Sequence, residues 1–98
     1  MGFEVIVEPS AINDIRSIQN WYEDKKVGLG SRFITDLENK LERVRLNPRG
    51  YQVRYKDRVR IAFLSVFPIG LHFLINERNI HIIAVLGTKQ DPFFWEAF

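Results

Sequence analysis

The sequence predicts an α+β fold of order β-α-α-β-β-β, a helical hairpin packed on a mostly antiparallel, twisted sheet. Three observations predict it. Two stretches with apolar residues at helical spacing follow one another in the first half, divided by Gly28-Leu29-Gly30. The second half is a series of β-branched and aromatic runs separated by short polar or proline-containing turns. One extended run, residues 3–8, precedes the helices. With 98 residues the chain is expected to form a single domain, 1–98, since it is too short for two independent cores.

The first run, FEVIVE, alternates Phe3, Val5 and Val7 against Glu4, Ile6 and Glu8 and reads as a strand stopped by Pro9. Ser10 stands where a helix N-cap belongs, and Asp14 lies in the first turns, where negative charge suits the helix dipole. Ala11, Ile15, Ile18 and Tyr22 recur at helical spacing, widened by Ile12 and Trp21, giving an amphipathic helix over 11–26. After the glycines, Ser31 can cap a second helix whose stripe is Phe33, Ile34, Leu37, Leu41 and Val44. Asp36 and Lys40 form an i,i+4 pair in the favourable order. Asn47-Pro48 ends that helix, because proline disfavours helix at the residue before it. So short a link between two helices implies an antiparallel hairpin.

In the second half, residues 52–55 alternate, with Tyr51, Val53 and Tyr55 on one side and Gln52, Arg54 and Lys56 on the other. Asp57-Arg58 is the expected turn. Residues 60–67 are too apolar for simple alternation and read as a central strand covered on both faces. Pro68-Ile69-Gly70 is the next turn, 71–75 the next strand, 76–79 a four-residue turn and 80–86 the last strand. In that register His72 faces Ala84 and His81 faces Ile75, which puts the two histidines roughly 10 Å apart. They make a poor metal pair with no carboxylate at ligand spacing, so no metal and no cofactor is expected. The tail GTKQDPFFWEAF ends in an aromatic cluster that reads as a core flap or, if exposed, as a dimer or partner interface.

Composition narrows the function classes. The chain has no cysteine, which rules out disulfides, Cys-bound zinc, iron–sulfur clusters and thiol chemistry. No apolar run approaches the ~20 residues of a membrane span, and no signal peptide is expected from MGFEVIVEPS. The net charge of +2 conceals an asymmetry: residues 1–40 carry −2, residues 41–60 carry +5 and residues 61–98 carry −1. The positive block comprises Arg43, Arg45, Arg49, Arg54, Lys56, Arg58 and Arg60. It is either a solubilising face or the footprint of an anionic partner.

Four segments, in order, resemble the RelE/ParE superfamily of toxins from type II toxin–antitoxin systems. PSAINDIRSIQNWYEDKKVGLGSRF is similar to the family's helical hairpin, and Asn47-Pro48 with Tyr51 to its post-helix turn. Arg60 followed by Phe67-Pro68 resembles its strand and turn, and Ala84-Val85 with Asp91-Pro92 and Trp95 its final segment. The resemblance covers about residues 5–95 and implies a cytoplasmic toxin neutralised by a cognate antitoxin, with plasmid stabilisation as the associated role. Its target would be DNA gyrase, by a ParE-like action, or the ribosome with its mRNA, by RelE-like, metal-free endoribonuclease chemistry. A member keeping only the fold for protein binding is a third reading, and a homodimer and a toxin–antitoxin hetero-oligomer are both open. The nuclease-type members commonly carry His and Arg where this chain has Gly87 and Gln90, a basic residue where it has Val66, and Tyr where it has Ile69. Those departures favour the gyrase reading.

Cleavage by a 2′-hydroxyl needs a base, an acid and cations around the phosphorane. Arg60, Arg54 and Lys89 are the candidate catalytic residues, and Lys56, Arg58 and Tyr55 the candidate target-binding ones. Tyr51 and Tyr55, interleaved with Arg54 and Lys56, can stack on bases and pair with phosphates, or pack under the helices.

Overall fold

The computed structural model describes residues 2–88. Among them the elements are β1 (Glu4–Val7), α1 (Pro9–Lys25), α2 (Leu29–Leu46), a 3-10 turn (Pro48–Gly50), β2 (Val53–Tyr55), β3 (Val59–Phe63), β4 (Ile69–Asn76) and β5 (Asn79–Gly87). They form one sheet of order β1-β5-β4-β3-β2, in which β1 joins β5 in parallel and the other neighbours are antiparallel. The predicted fold class is the observed one: a helical hairpin covers one face of a mostly antiparallel sheet.

The helical stripe drives that packing. Ala11 of α1 and Phe33, Leu37 and Val44 of α2 are buried against Ala62, Leu71, Phe73, Ile80, Ile82 and Val85 of the sheet. Tyr22, Phe33 and Phe67 pack mutually, with ring centroids 4.8–5.9 Å apart. Ile12 and Trp21 do not widen the stripe as expected, since both are exposed, Trp21 by 57%.

The polar residues read as local caps do tertiary work instead. Pro9 opens α1 at its first position, where a missing N–H costs nothing. The Glu8 amide still bonds to Ile82 at 3.0 Å, but beyond it no described strand pairs with that edge of β5. Ser10 then donates its hydroxyl to the Ile83 carbonyl at 2.8 Å, and the Asp14 carboxylate accepts the Val85 amide at 3.0 Å. The first turns of α1 thus extend the sheet edge that β1 leaves off. Ser31 likewise lies inside α2; the N-cap position falls to Gly28, whose φ of 90° suits glycine. Its first amides are satisfied from α1, where Glu23 accepts Gly28 N–H at 2.9 Å and Gly30 N–H at 3.0 Å.

Gly30 marks the closest approach of the helices. A Cβ there would come 2.8 Å from the Gln19 carbonyl oxygen. Helix propensity alone favours Gly30→Ala by about 1 kcal/mol. The clash with backbone opposes it, and a net loss of about 1–2 kcal/mol is expected in urea unfolding.

Asp36 corrects a further reading. It does not pair with Lys40; it is buried, and one carboxylate oxygen accepts both Val66 N–H and Phe67 N–H at 2.9 Å. This capture explains why the run 60–67 does not continue as one strand. β3 ends at Phe63, the chain turns through 64–68, and Ile69 and Gly70 belong to β4 rather than to a turn. The central strand is β4, not the 60–67 run. The last hairpin turns on two residues, Glu77 and Arg78, with Glu77 at φ 58°. That tighter turn puts His81 opposite Leu74 rather than Ile75, while an extra residue at Ile83 restores His72 to its predicted partner, Ala84.

Candidate functional site

The register divides the sheet into two faces. The core residues of β3, β4 and β5 point to the helices; Ile61, Phe63, Gly70, His72, Leu74, His81, Ala84 and Leu86 alternate with them and point to the other, open face. Apart from His72 at its centre and His81 beside β1, those residues are apolar.

The cations meet this face only at its β2 rim. β2 is three residues long and irregular between Val53 and Tyr55. Lys56 and Asp57 then take φ of 52° and 59°. The left-handed pair breaks the alternation, so Arg54 and Lys56 do not share a strand face as the sequence predicted. Arg54 lies over the Phe63 ring at 5.5 Å, a cation–π contact on the open face. Tyr55 reaches the same face, where its hydroxyl and His72 Nδ1 share a 2.7 Å hydrogen bond. Tyr51 instead packs edge-on against Phe73 on the helix side. Lys56 and Arg58 are exposed in the turn. The hairpin therefore gathers Arg54, Tyr55, Lys56 and Arg58.

Arg60 stands apart. It pairs with Phe73 on the helix-covered side and donates to the Tyr51 carbonyl. Lys89 and the aromatic tail lie outside the described residues, as do Gln90, Asp91-Pro92 and Trp95. Among the described residues, Arg45 is the one member of the basic block in an ion pair, with Glu42 at 2.6 Å. Most of the block's positive charge is thus available to a partner.

His72 offers no base. Burial pushes His72 down to about 4, so it is neutral at pH 7, and the residue is fully buried. His81 pairs with Glu8 at 2.9 Å, on the far side of β5 from the hairpin. No group of three potential metal ligands occurs among the described residues.

The His72 environment has a pH signature. Above pH 6.5 the imidazole is neutral in the folded and unfolded chain alike, and full stability is present. Between pH 6.5 and 4 the unfolded chain takes up a proton that the folded chain does not. Stability is therefore expected to fall with pH by about 3 kcal/mol from this residue. Asp14 works in the opposite sense: burial raises its carboxyl above 3.8, outweighing the Val85 hydrogen bond, so acidification relieves a penalty there. Urea unfolding at stepped pH measures the sum, and His72→Asn is expected to flatten the His72 part.

Sequence reasoning missed Asp36, Glu23 and Phe63. Only Asp36 carried a signal, a carboxylate between the apolar positions Phe33 and Leu37.

Comparison with known proteins gives the family. A family model described as the ParE toxin of the type II toxin–antitoxin system, parDE, matches residues 5–92. A solved structure titled as the chromosomal ParDE toxin–antitoxin system from P. aeruginosa is similar at a TM-score of 0.81 and 13% identity, covering 89% of this chain and 97% of that one. The isolated E. coli RelE toxin is similar at 0.66 and 20% identity, covering 97% and 94%. These likenesses show the shared fold. No curated protein sequence matches. Among the described residues no helix is long and apolar enough to cross a membrane.

Proposed function

From the premise that this chain belongs to the ParE toxin family of type II toxin–antitoxin systems, we propose that it arrests growth by binding DNA gyrase in the cytoplasm and is neutralised by a cognate antitoxin. One observation carries the choice of a protein target over RNA cleavage. Beside the cationic hairpin the open sheet face, among the described residues, is apolar apart from the buried His72, whose imidazole is neutral at pH 7, and the His81–Glu8 pair lies at the opposite, β1, edge of the sheet. The cations sit on a rim, where they suit recognition rather than chemistry.

In this reading Arg54, Tyr55, Lys56 and Arg58 contact the target. Arg60, committed to the Tyr51 carbonyl, positions the segment leading into that hairpin, and Lys89 adds a cation to the contact. The antitoxin is an acidic, partly apolar segment that covers the exposed basic residues and binds at nanomolar strength or tighter. The RelE-like reading draws on the +5 charge of residues 41–60, since an RNA-lined site demands positive charge.

Induction in cells separates the two. Loss of plasmid supercoiling with intact mRNA supports gyrase action; ribosome-dependent mRNA fragments with normal supercoiling support cleavage. No growth defect, together with only micromolar binding to the neighbouring gene's product, would leave the third reading, a fold kept for protein binding. Reversing the three hairpin cations (Arg54→Glu, Lys56→Glu, Arg58→Glu) is expected to weaken target binding about tenfold or more, at roughly 0.5 kcal/mol for each exposed charge.

A further inference from the structure

Resting on the reading of the β2–β3 hairpin as the target contact, we infer that His72 is its positioning residue: the hydrogen bond between His72 and Tyr55 holds the turn at Lys56 and Asp57 in shape and so aims Lys56 and Arg58 at the target. Nothing in the turn's own sequence favours that shape. The chain reverses over Tyr55 to Arg58 with φ of 52° at Lys56 and 59° at Asp57. Two successive positive φ values are the pattern of a type I′ turn, for which asparagine and glycine are the preferred residues. Lysine and aspartate rarely adopt it. The bond that closes the turn, from the Arg58 amide to the Tyr55 carbonyl, is long at 3.3 Å. β2 adds little, being three residues at the sheet edge with an irregular register. Among the described residues neither the Lys56 nor the Arg58 side chain has a hydrogen bond or an ion pair.

The anchor lies outside the turn. Tyr55 reaches from β2 over β3 to β4, where its hydroxyl and His72 Nδ1 are 2.7 Å apart and the two rings meet edge-on at 5.6 Å between centroids. His72 cannot follow a moving turn. It is fully buried in the central strand, opposite Ile61 of β3 on one side and Ala84 of β5 on the other. The first residue of a strained turn is thereby tied to a fixed group. The neighbouring contacts act elsewhere: Arg54 over the Phe63 ring and Arg60 on the Tyr51 carbonyl hold the flanking strands, not the turn. A hairpin ordered before docking loses less freedom on binding. His72 therefore adds to affinity from a depth at which it cannot touch the target.

Three variants isolate the bond. Tyr55→Phe keeps the ring and removes the hydroxyl. His72→Leu keeps a buried side chain and removes the ring nitrogen. His72→Asn offers an amide near the place of Nδ1, able to accept or to donate. NMR of the isolated protein reads the turn without any target. In Tyr55→Phe and His72→Leu the HN–Hα couplings of Lys56 and Asp57 are expected to move toward coil values and their heteronuclear NOEs to fall, while His72→Asn stays close to wild type. Gly30→Ala, which loses stability at the helix contact, is expected to leave the turn unchanged. Binding of Tyr55→Phe to purified gyrase is expected to be about fivefold weaker through faster dissociation, with association within about twofold of wild type because the hairpin keeps its charge. Wild-type couplings and NOEs in both Tyr55→Phe and His72→Leu would overturn the inference. So would an equal disturbance of the turn in Gly30→Ala, or a loosened turn with undiminished gyrase affinity. If His72→Leu fails to fold, Tyr55→Phe decides. A wild-type protein that does not bind gyrase would refute the proposed target, and the NMR result would still decide whether His72 shapes the turn.

Discussion

Asp36→Ala is expected to cost about 3 kcal/mol, a large share of the stability of a small domain. The residue is only 6% exposed and serves two backbone amides, Val66 and Phe67, with a single oxygen. Alanine leaves both donors without that acceptor, and a buried donor left unsatisfied costs about 1–3 kcal/mol. Asp36→Asn keeps a carbonyl oxygen in place and is expected to cost about 1 kcal/mol. Urea unfolding gives both numbers. Amide exchange at Val66 and Phe67 tests the cause: it should accelerate in the alanine variant before exchange in β4 does. The 64–68 turn sets where β3 stops and β4 begins, so its loosening should also disturb Phe67, which packs on Tyr22 and Phe33.

Phe33→Ala is expected to be larger still, about 3–5 kcal/mol. Phe33 is fully buried at the junction of α1, α2 and the 64–68 turn. Its removal deletes two aromatic contacts and leaves a cavity between groups fixed by both helices, which cannot close in to fill it. Phe33→Leu should recover much of the loss. A thermal melt in which Phe33→Ala costs no more than an exposed substitution would refute the packing described for this junction.

The features legible in the sequence are those set by apolar periodicity. Phe33, Leu37 and Val44 declare the buried face of α2 without any knowledge of what lies across from it. The β-branched runs declare the strands in the same way. Features that depend on a partner distant in sequence were not legible. Ser10 and Asp14 look like a cap and a dipole charge, because nothing local reveals that the Ile83 carbonyl and the Val85 amide of β5 take their partners from α1. Asp36 looks like half of an exposed ion pair until the 64–68 turn supplies two amides. At the candidate site, the cations were visible as a block but their arrangement was not. Lys56 and Asp57 adopt positive φ without glycine or asparagine to announce it, so strand alternation placed Arg54 and Lys56 together when the turn separates them. The buried neutral state of His72 follows from cross-strand packing that no spacing rule contains.

The central claim is that the toxin acts by recognising a protein through a cationic hairpin, and purified components test it most directly. The protein is mixed with purified gyrase and, separately, with ribosomes carrying mRNA. The account predicts inhibition of supercoiling that weakens with salt and with charge reversal at Arg54, Lys56 and Arg58, and mRNA that stays intact. Codon-positioned mRNA cleavage with gyrase unaffected would contradict it.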